Sequence, residues 1–165
     1  MSAVVVNWPF KVIQGGAAVN PPTVKAKAVS LLAQREYSRQ ELSDKLKAED
    51  ASPEEVEQAL AQLAAKGLVD DARVVETLVN RRSSKLGASR LRQELQAKGV
   101  SADMVAETMA ELKGTELARA RGVWEKKFGQ LASSASERNK QARFLASRGF
   151  SGDVVRQVVS GLADD

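Results

Sequence analysis

At 165 residues, with 43% apolar and 28% charged side chains, the chain suits one or two domains or a short array, and a compact fold of this size buries roughly two-thirds of its unfolded surface. It holds neither Cys nor His, which excludes disulfides, thiolate and imidazole metal sites, a thiol nucleophile and the commonest general base; no metal, cofactor or catalytic centre is expected. The net charge of +4 is unevenly spread: eight acids face three bases from Glu36 to Leu63, six bases face one acid from Arg81 to Val100, and nine bases face three acids from Lys113 to Phe150. A basic half of this kind points to a polyanion or an acidic partner surface.

Residues 1–22 form a lead-in. Val4-Val5-Val6 and Val12-Ile13 are short apolar runs interrupted by Asn7-Trp8-Pro9, and Gly15-Gly16 leads to Pro21-Pro22, which suits an isolated strand or a disordered extension. No basic stretch precedes a long apolar run, and no run approaches the ~20 residues of a membrane span. Neither a signal peptide nor a membrane segment is expected, and the cytoplasm is the expected compartment.

The first unit, residues 23–69, is acidic. Thr23 caps a helix carrying Ala28, Leu31 and Leu32 that ends near Glu36-Tyr37. Ser38, with Glu41 at the capping-box position, starts a second helix with Leu42 and Leu46 inward, and Ser52 with Pro53 at the first helical position starts a third that ends at Lys66-Gly67. In the second unit, residues 70–112, Asp70-Asp71 leads into a helix through Val74, Val75, Leu78 and Val79 to Arg81-Arg82. Leu91 and Leu95 then share a face, Lys98-Gly99 is a helix stop, and Ser101 opens a helix with Val105, Met109 and Leu112 inward. The third unit, residues 113–165, starts near Gly114-Thr115, carries Leu117, Ala118, Val123, Trp124 and Phe128, and breaks around Gly129. Ser133 to Ser136 is a loop and cap, and Asn139 to Arg148 is the next helix, with Phe144 and Leu145 inward. Trp124, Phe128, Phe144 and Phe150 sit at helical spacing among apolar neighbours, which favours core positions over stacking platforms for single-stranded DNA.

The units are copies of one pattern. Ser52, Ser101 and Ser151 each precede an apolar stripe of the same spacing (Val56, Leu60, Leu63; Val105, Met109, Leu112; Val155, Val159, Leu162), and six residues before each serine stands Leu46, Leu95 or Leu145. Gly99 and Gly149 fall two residues before their serines, where the first copy has Asp50. Three copies about 50 residues apart predict an all-α fold of three tandem three-helix repeats.

The chain resembles the RecX family, bacterial modulators of the recombinase RecA. The residues that carry the resemblance are Tyr37-Ser38-Arg39-Gln40-Glu41-Leu42 with Lys45-Leu46, Leu63-Ala64-Ala65-Lys66-Gly67-Leu68-Val69-Asp70-Asp71 with Arg81, Lys85-Leu86-Gly87 through Glu94-Leu95, and Lys98-Gly99-Val100-Ser101. Ala120-Arg121-Gly122-Val123-Trp124-Glu125-Lys126-Lys127-Phe128-Gly129, Phe144-Leu145 and Arg148-Gly149-Phe150-Ser151 complete it. Val74-Val75 replace the family's usual Phe-Ala and lighten the core there. The resemblance implies an elongated, curved molecule, a monomer, that lodges in the groove of the RecA–DNA filament. It further implies inhibition of filament extension, ATP hydrolysis, strand exchange and co-protease activity, and so modulation of recombination and the SOS response, with at most weak, non-specific binding to single- or double-stranded DNA.

The candidate contact residues are the bases of the second and third units: Arg81, Arg82, Lys85, Arg90, Arg92, Lys98, Arg119, Arg121, Lys126, Lys127, Lys140, Arg143 and Arg148. Each alone is an ordinary solvated charge; together they suit phosphate or acidic patches. Two other readings use the same features. A helix-turn-helix transcription regulator is suggested by three-helix units with a basic second helix, and a passive helical scaffold predicts that charge reversal leaves partner affinity unchanged.

Overall fold

Serine, threonine and aspartate punctuate the chain at the positions where helices begin. In the computed structural model, which describes residues 20–161, these points open α1 (Val24–Leu32), α2 (Arg39–Ala48), α3 (Pro53–Ala65), α4 (Asp71–Arg82), α6 (Ala102–Lys113), α7 (Glu116–Lys127), α8 (Ala135–Ser147) and α9 (Gly152–Ser160), and Gly87 precedes α5 (Ala88–Ala97). No strand occurs among the described residues. The apolar runs read in residues 1–19, and Leu162 of the third stripe, lie outside them.

Caps form at most of the positions the sequence suggests, Ser151 being an exception whose side chain makes no cap bond. Thr23 Oγ1 accepts from Ala26 N–H, and Ser38 and Ser52 each close a capping box with the glutamate three residues on, Glu41 and Glu55. Asp70 caps α4 and Ser101 caps α6. Two boundaries differ from expectation. Helix α1 stops at Leu32 rather than near Glu36-Tyr37, because Tyr37 turns into the core beneath the Arg35 guanidinium, 3.6 Å above its ring. Helix α8 begins at Ala135, before the expected Asn139: Ser134 Oγ accepts from Glu137 N–H, and the Glu137 carboxylate accepts from Ser133 N–H and Oγ–H, so the serine run caps a longer helix.

Each set of three helices closes over its own core. Leu42, Leu46, Val56, Leu60 and Leu63 fill the first, with Tyr37 and Val69. Leu78, Leu86, Leu91, Leu95, Val105 and Met109 fill the second, and Leu145, Phe150, Val155, Val158 and Val159 the third. Leu112 is half-buried against the second core. Val74 and Val75 are both buried. Ala118 is exposed, and Ala120 takes the inward position in α7. Of the aromatic residues, Phe150 is buried and Trp124 and Phe144 pack against the third core. Phe128 meets the Phe144 ring edge-on at 5.4 Å. Three of the four are packed in or against the core, as their spacing suggests, and Phe128 is half-buried on Phe144. Extensive helix packing is confined within each triplet, so the repeats are joined by something other than a shared apolar core.

Candidate partner-binding surface

The joints between repeats are polar, and the same joint is built twice. An acid at the start of one repeat's first helix caps the preceding repeat's second helix: Asp71 Oδ1 accepts from Arg39 N–H at 2.8 Å, and Glu116 Oε1 accepts from Ala88 N–H at 3.2 Å. Glu116 is buried, and the same oxygen also accepts from Ser151 N–H, so one carboxylate serves the N-termini of α5 and α9. Neither Gly87 nor Ser151 supplies a side-chain cap to those helices.

The second contact seats a helix-stopping turn on the N-terminus of the preceding repeat's second helix. Ser38 Oγ–H donates to Lys98 O at the first joint, and Gly87 N–H donates to Arg148 O at the second, at 2.8 Å. The approach leaves no room for side chains. A Cβ on Gly99 would lie 2.5 Å from Gln40 Cβ, one on Gly149 would lie 2.6 Å from Arg90 N, and one on Gly87 would lie 2.2 Å from Phe150 N.

Each joint leaves a groove whose lining comes from matching positions of the repeat. The first, about 440 Å³, is lined by Arg35, Glu36, Leu78, Arg81, Arg82, Glu94 and Lys98 among others. The second, about 370 Å³, is lined by Ser84, Lys85, Val123, Lys126, Lys127, Phe144 and Arg148. In the repeat register Arg35 corresponds to Ser84, Glu36 to Lys85, Arg81-Arg82 to Lys126-Lys127, Glu94 to Phe144, and Lys98 to Arg148. Local helix chemistry puts these cations there. Arg81-Arg82 and Lys126-Lys127 end α4 and α7, and Lys98 and Arg148 are the C-caps of α5 and α8, where the negative end of the helix dipole favours positive charge.

The two grooves differ in their counter-charges. In the first, Arg82 forms a two-point pair with Glu94 at 2.7 and 3.1 Å, and Glu41 accepts from Arg35 and Lys98 at 3.2 and 3.3 Å. Burial alone would raise the Glu41 carboxyl above its ordinary value, but the Ser38 N–H bond and the charges of Arg35 and Lys98 outweigh burial and hold it below. In the second groove the position of Glu94 is Phe144 and that of Glu41 is Arg90. Among the described residues no carboxylate lines it, and none of Lys85, Lys126, Lys127 or Arg148 has an ion pair. Lys127 and Arg148 instead lie over the Phe144 ring at 5.8 and 5.0 Å.

The thirteen cations named from the sequence therefore fall into several settings. Arg81, Arg82 and Lys98 line the first groove, and Lys85, Lys126, Lys127 and Arg148 the second. Arg90 and Arg92 are exposed on α5, and Lys140 and Arg143 on α8. Arg121 is half-buried on α7 beside Trp124. Arg119 points inward: its guanidinium donates to Ser83 O, Leu86 O and Leu112 O, tying the second repeat to the third. Burial lowers its pKa from the ordinary arginine value, opposed by Glu116, and it remains a cation. The sequence reading passed over Arg35, Glu41, Asp71, Glu94 and Glu116. In the loops before each second helix, Arg35-Glu36 stand where the next repeat has Ser84-Lys85, and these pairs line the two grooves. Among the described residues no cluster of acids is arranged to hold a metal ion, and no helix is long and apolar enough to cross a membrane.

Comparison with known proteins places the repeats in one order. Residues 25–63 match the first RecX three-helix domain, 70–109 the second and 115–159 the third. Regulatory protein RecX of Leptothrix cholodnii is 46% identical over 142 residues, 86% of this chain and 90% of that protein. Regulatory protein RecX of Chromobacterium violaceum is 42% identical over 148 residues, 90% of this chain and 96% of that one. The crystal structure of RecX from Lactobacillus salivarius superposes with a TM-score of 0.70 at 22% identity, covering 84% of this chain and 94% of that one, a likeness of fold.

Proposed function

Since this chain belongs to the RecX family of regulatory proteins, we propose that it binds along the groove of the RecA–DNA filament and inhibits RecA. Filament extension, ATP hydrolysis, strand exchange and co-protease function are the activities it restrains, and through them it modulates recombination and the SOS response. It acts as a cytoplasmic monomer without a cofactor, and its own affinity for single- or double-stranded DNA is weak and independent of sequence.

The observation that supports this reading most is the gradient of charge along a row of repeats. The joint between the first and second repeats carries Glu36, Glu41 and Glu94 among its cations, whereas the groove between the second and third is lined by Lys85, Lys126, Lys127 and Arg148 with no carboxylate among the described residues. A body with one acidic end and a basic remainder suits a protein filament that carries nucleic acid near its axis. The helix-turn-helix reading gains nothing from the third helices, which expose Glu54, Glu55 and Glu57 in α3 and Asp103, Glu107 and Glu111 in α6.

The test is the DNA-dependent ATPase of the cognate RecA measured with increasing amounts of this protein. Inhibition that saturates as the protein approaches the filament's binding capacity is expected. Unchanged hydrolysis at stoichiometric excess overturns the proposal.

A further inference from the structure

The two joints have one architecture but differ in charge, the first nearly balanced and the second strongly positive, so the structure contains its own control. At the first joint four cations line the groove together with Glu36 and Glu94, and Glu41 holds Arg35 and Lys98. At the second joint four cations line the groove with no carboxylate among the described residues. All three acids of the first joint are replaced at the second, Glu36 by Lys85, Glu41 by Arg90 and Glu94 by Phe144, while Arg35 gives way to Ser84 and the cations at the other three positions persist. Holding like charges together without a counter-ion costs stability unless an anion arrives from outside.

The chemistry of the lining narrows the anion. Three of the four cations are lysines, compact point charges that bind phosphate without a fixed approach direction. The one arginine, Arg148, is stacked over Phe144. Ser84 adds a hydroxyl at the rim, and the apolar lining is limited to Val123 and the Phe144 ring, whose face already carries cations. Such a groove offers little to the side chains of a peptide or to stacked bases, and much to a run of phosphates. Arg90, exposed on α5 and in contact with the Gly149 turn beside Arg148, adds positive charge near its rim.

We propose that the groove between the second and third repeats, lined by Lys85, Lys126, Lys127 and Arg148, seats the phosphate backbone of a nucleic-acid strand, and that the matching groove between the first and second repeats does not. This deepens the regulatory reading above and rests on it for the setting in which the strand is met. It also assigns Glu94 a role as the internal counter-ion that keeps the first groove closed to phosphate.

The experiment uses the full chain and a short fluorescein-labelled oligothymidylate, followed by anisotropy at a series of salt concentrations. The Lys126→Gln/Lys127→Gln double variant is expected to bind about tenfold more weakly at low salt and to lower the slope of log affinity against log salt by about one to two. Arg81→Gln leaves both unchanged, and Glu94→Gln, which releases Arg82, tightens binding. Circular dichroism melting accompanies each variant, and Glu94→Gln keeps the proposal falsifiable if the double variant unfolds. Equal losses for Arg81→Gln and the double variant overturn the assignment to one groove. A polyglutamate peptide that competes as well as DNA, and loses affinity with the same double variant, overturns the assignment to nucleic acid. No binding by the unaltered protein overturns it outright, while the RecA ATPase assay continues to decide the regulatory reading by itself.

Discussion

The glycines at the joints show how a single hydrogen in place of a side chain governs the array. Gly99 and Gly149 have φ near +70° and +87°, and their counterpart in the first repeat is Asp50, at φ +64°. Asp tolerates that backbone, so conformation alone does not require glycine there. What differs is the neighbour: the turns bearing Gly99 and Gly149 are pressed against α2 and α5, while Asp50 is exposed. Gly149→Ala is therefore expected to cost about 1–3 kcal/mol or more by overpacking against the Arg90 backbone, and Asp50→Ala, which has the same strained φ and an open surround, to cost less; urea denaturation compares them. The glycine pair was visible in the sequence and its role as a helix stop was legible. Its role as a contact was not, since nothing in a linear pattern says that Gly149 meets Arg90. Glu116 is a second such case. It reads as an ordinary first-turn acid but accepts two backbone N–H groups from two helices while buried. Glu116→Ala strands both donors and should lower stability by about 2–4 kcal/mol, with Glu116→Gln retaining most of it, checked by thermal unfolding.

At the scale of the helix, ends carry both stability and charge. The N-caps were legible because Ser-x-x-Glu and Ser-Pro-Glu-Glu are local signals needing no tertiary partner, and the C-terminal cations were legible for the same reason. Ser52→Ala is expected to remove about 1 kcal/mol and to loosen the first turn of α3, which amide hydrogen exchange at Glu55 reports. Helix α2 brings a pH dependence. Glu41 is held below its ordinary value near 4.5 in the folded protein, so the unfolded chain binds the proton more readily in acid. Its stabilisation is full above that ordinary value and is lost as pH falls through the lower folded one. Unfolding midpoints measured downward from about pH 5 should fall, and the fall should be shallower in Glu41→Gln. The boundaries of α1 and α8 escaped the sequence because Tyr37 answers to the core and the serine run from Ser133 to Ser136 offers more than one cap.

The whole molecule is a row of three small cores linked through polar joints, an arrangement in which each repeat's stability adds to that of its interfaces. The row itself was legible, since three copies of one apolar register repeat along the chain. The difference between its two joints was not, because it lies in which carboxylates reach which cations across repeats. Native-state hydrogen exchange should show at least partly separate opening of the repeats. Gly149→Ala should speed exchange in α8 and α9 well before α2 and α3, whereas uniform acceleration would mean that the joints couple the array into one cooperative unit. The exposed Asp50 has a consequence for self-assembly. A row whose head fits its own tail grows without limit, since a head-to-tail contact that does not close makes a fibre. At the turn where Gly99 and Gly149 accept a preceding repeat, Asp50 carries a charged side chain, so another copy's terminal repeat cannot seat there as the internal repeats seat on one another. A carboxylate at that turn opposes end-to-end growth of the row.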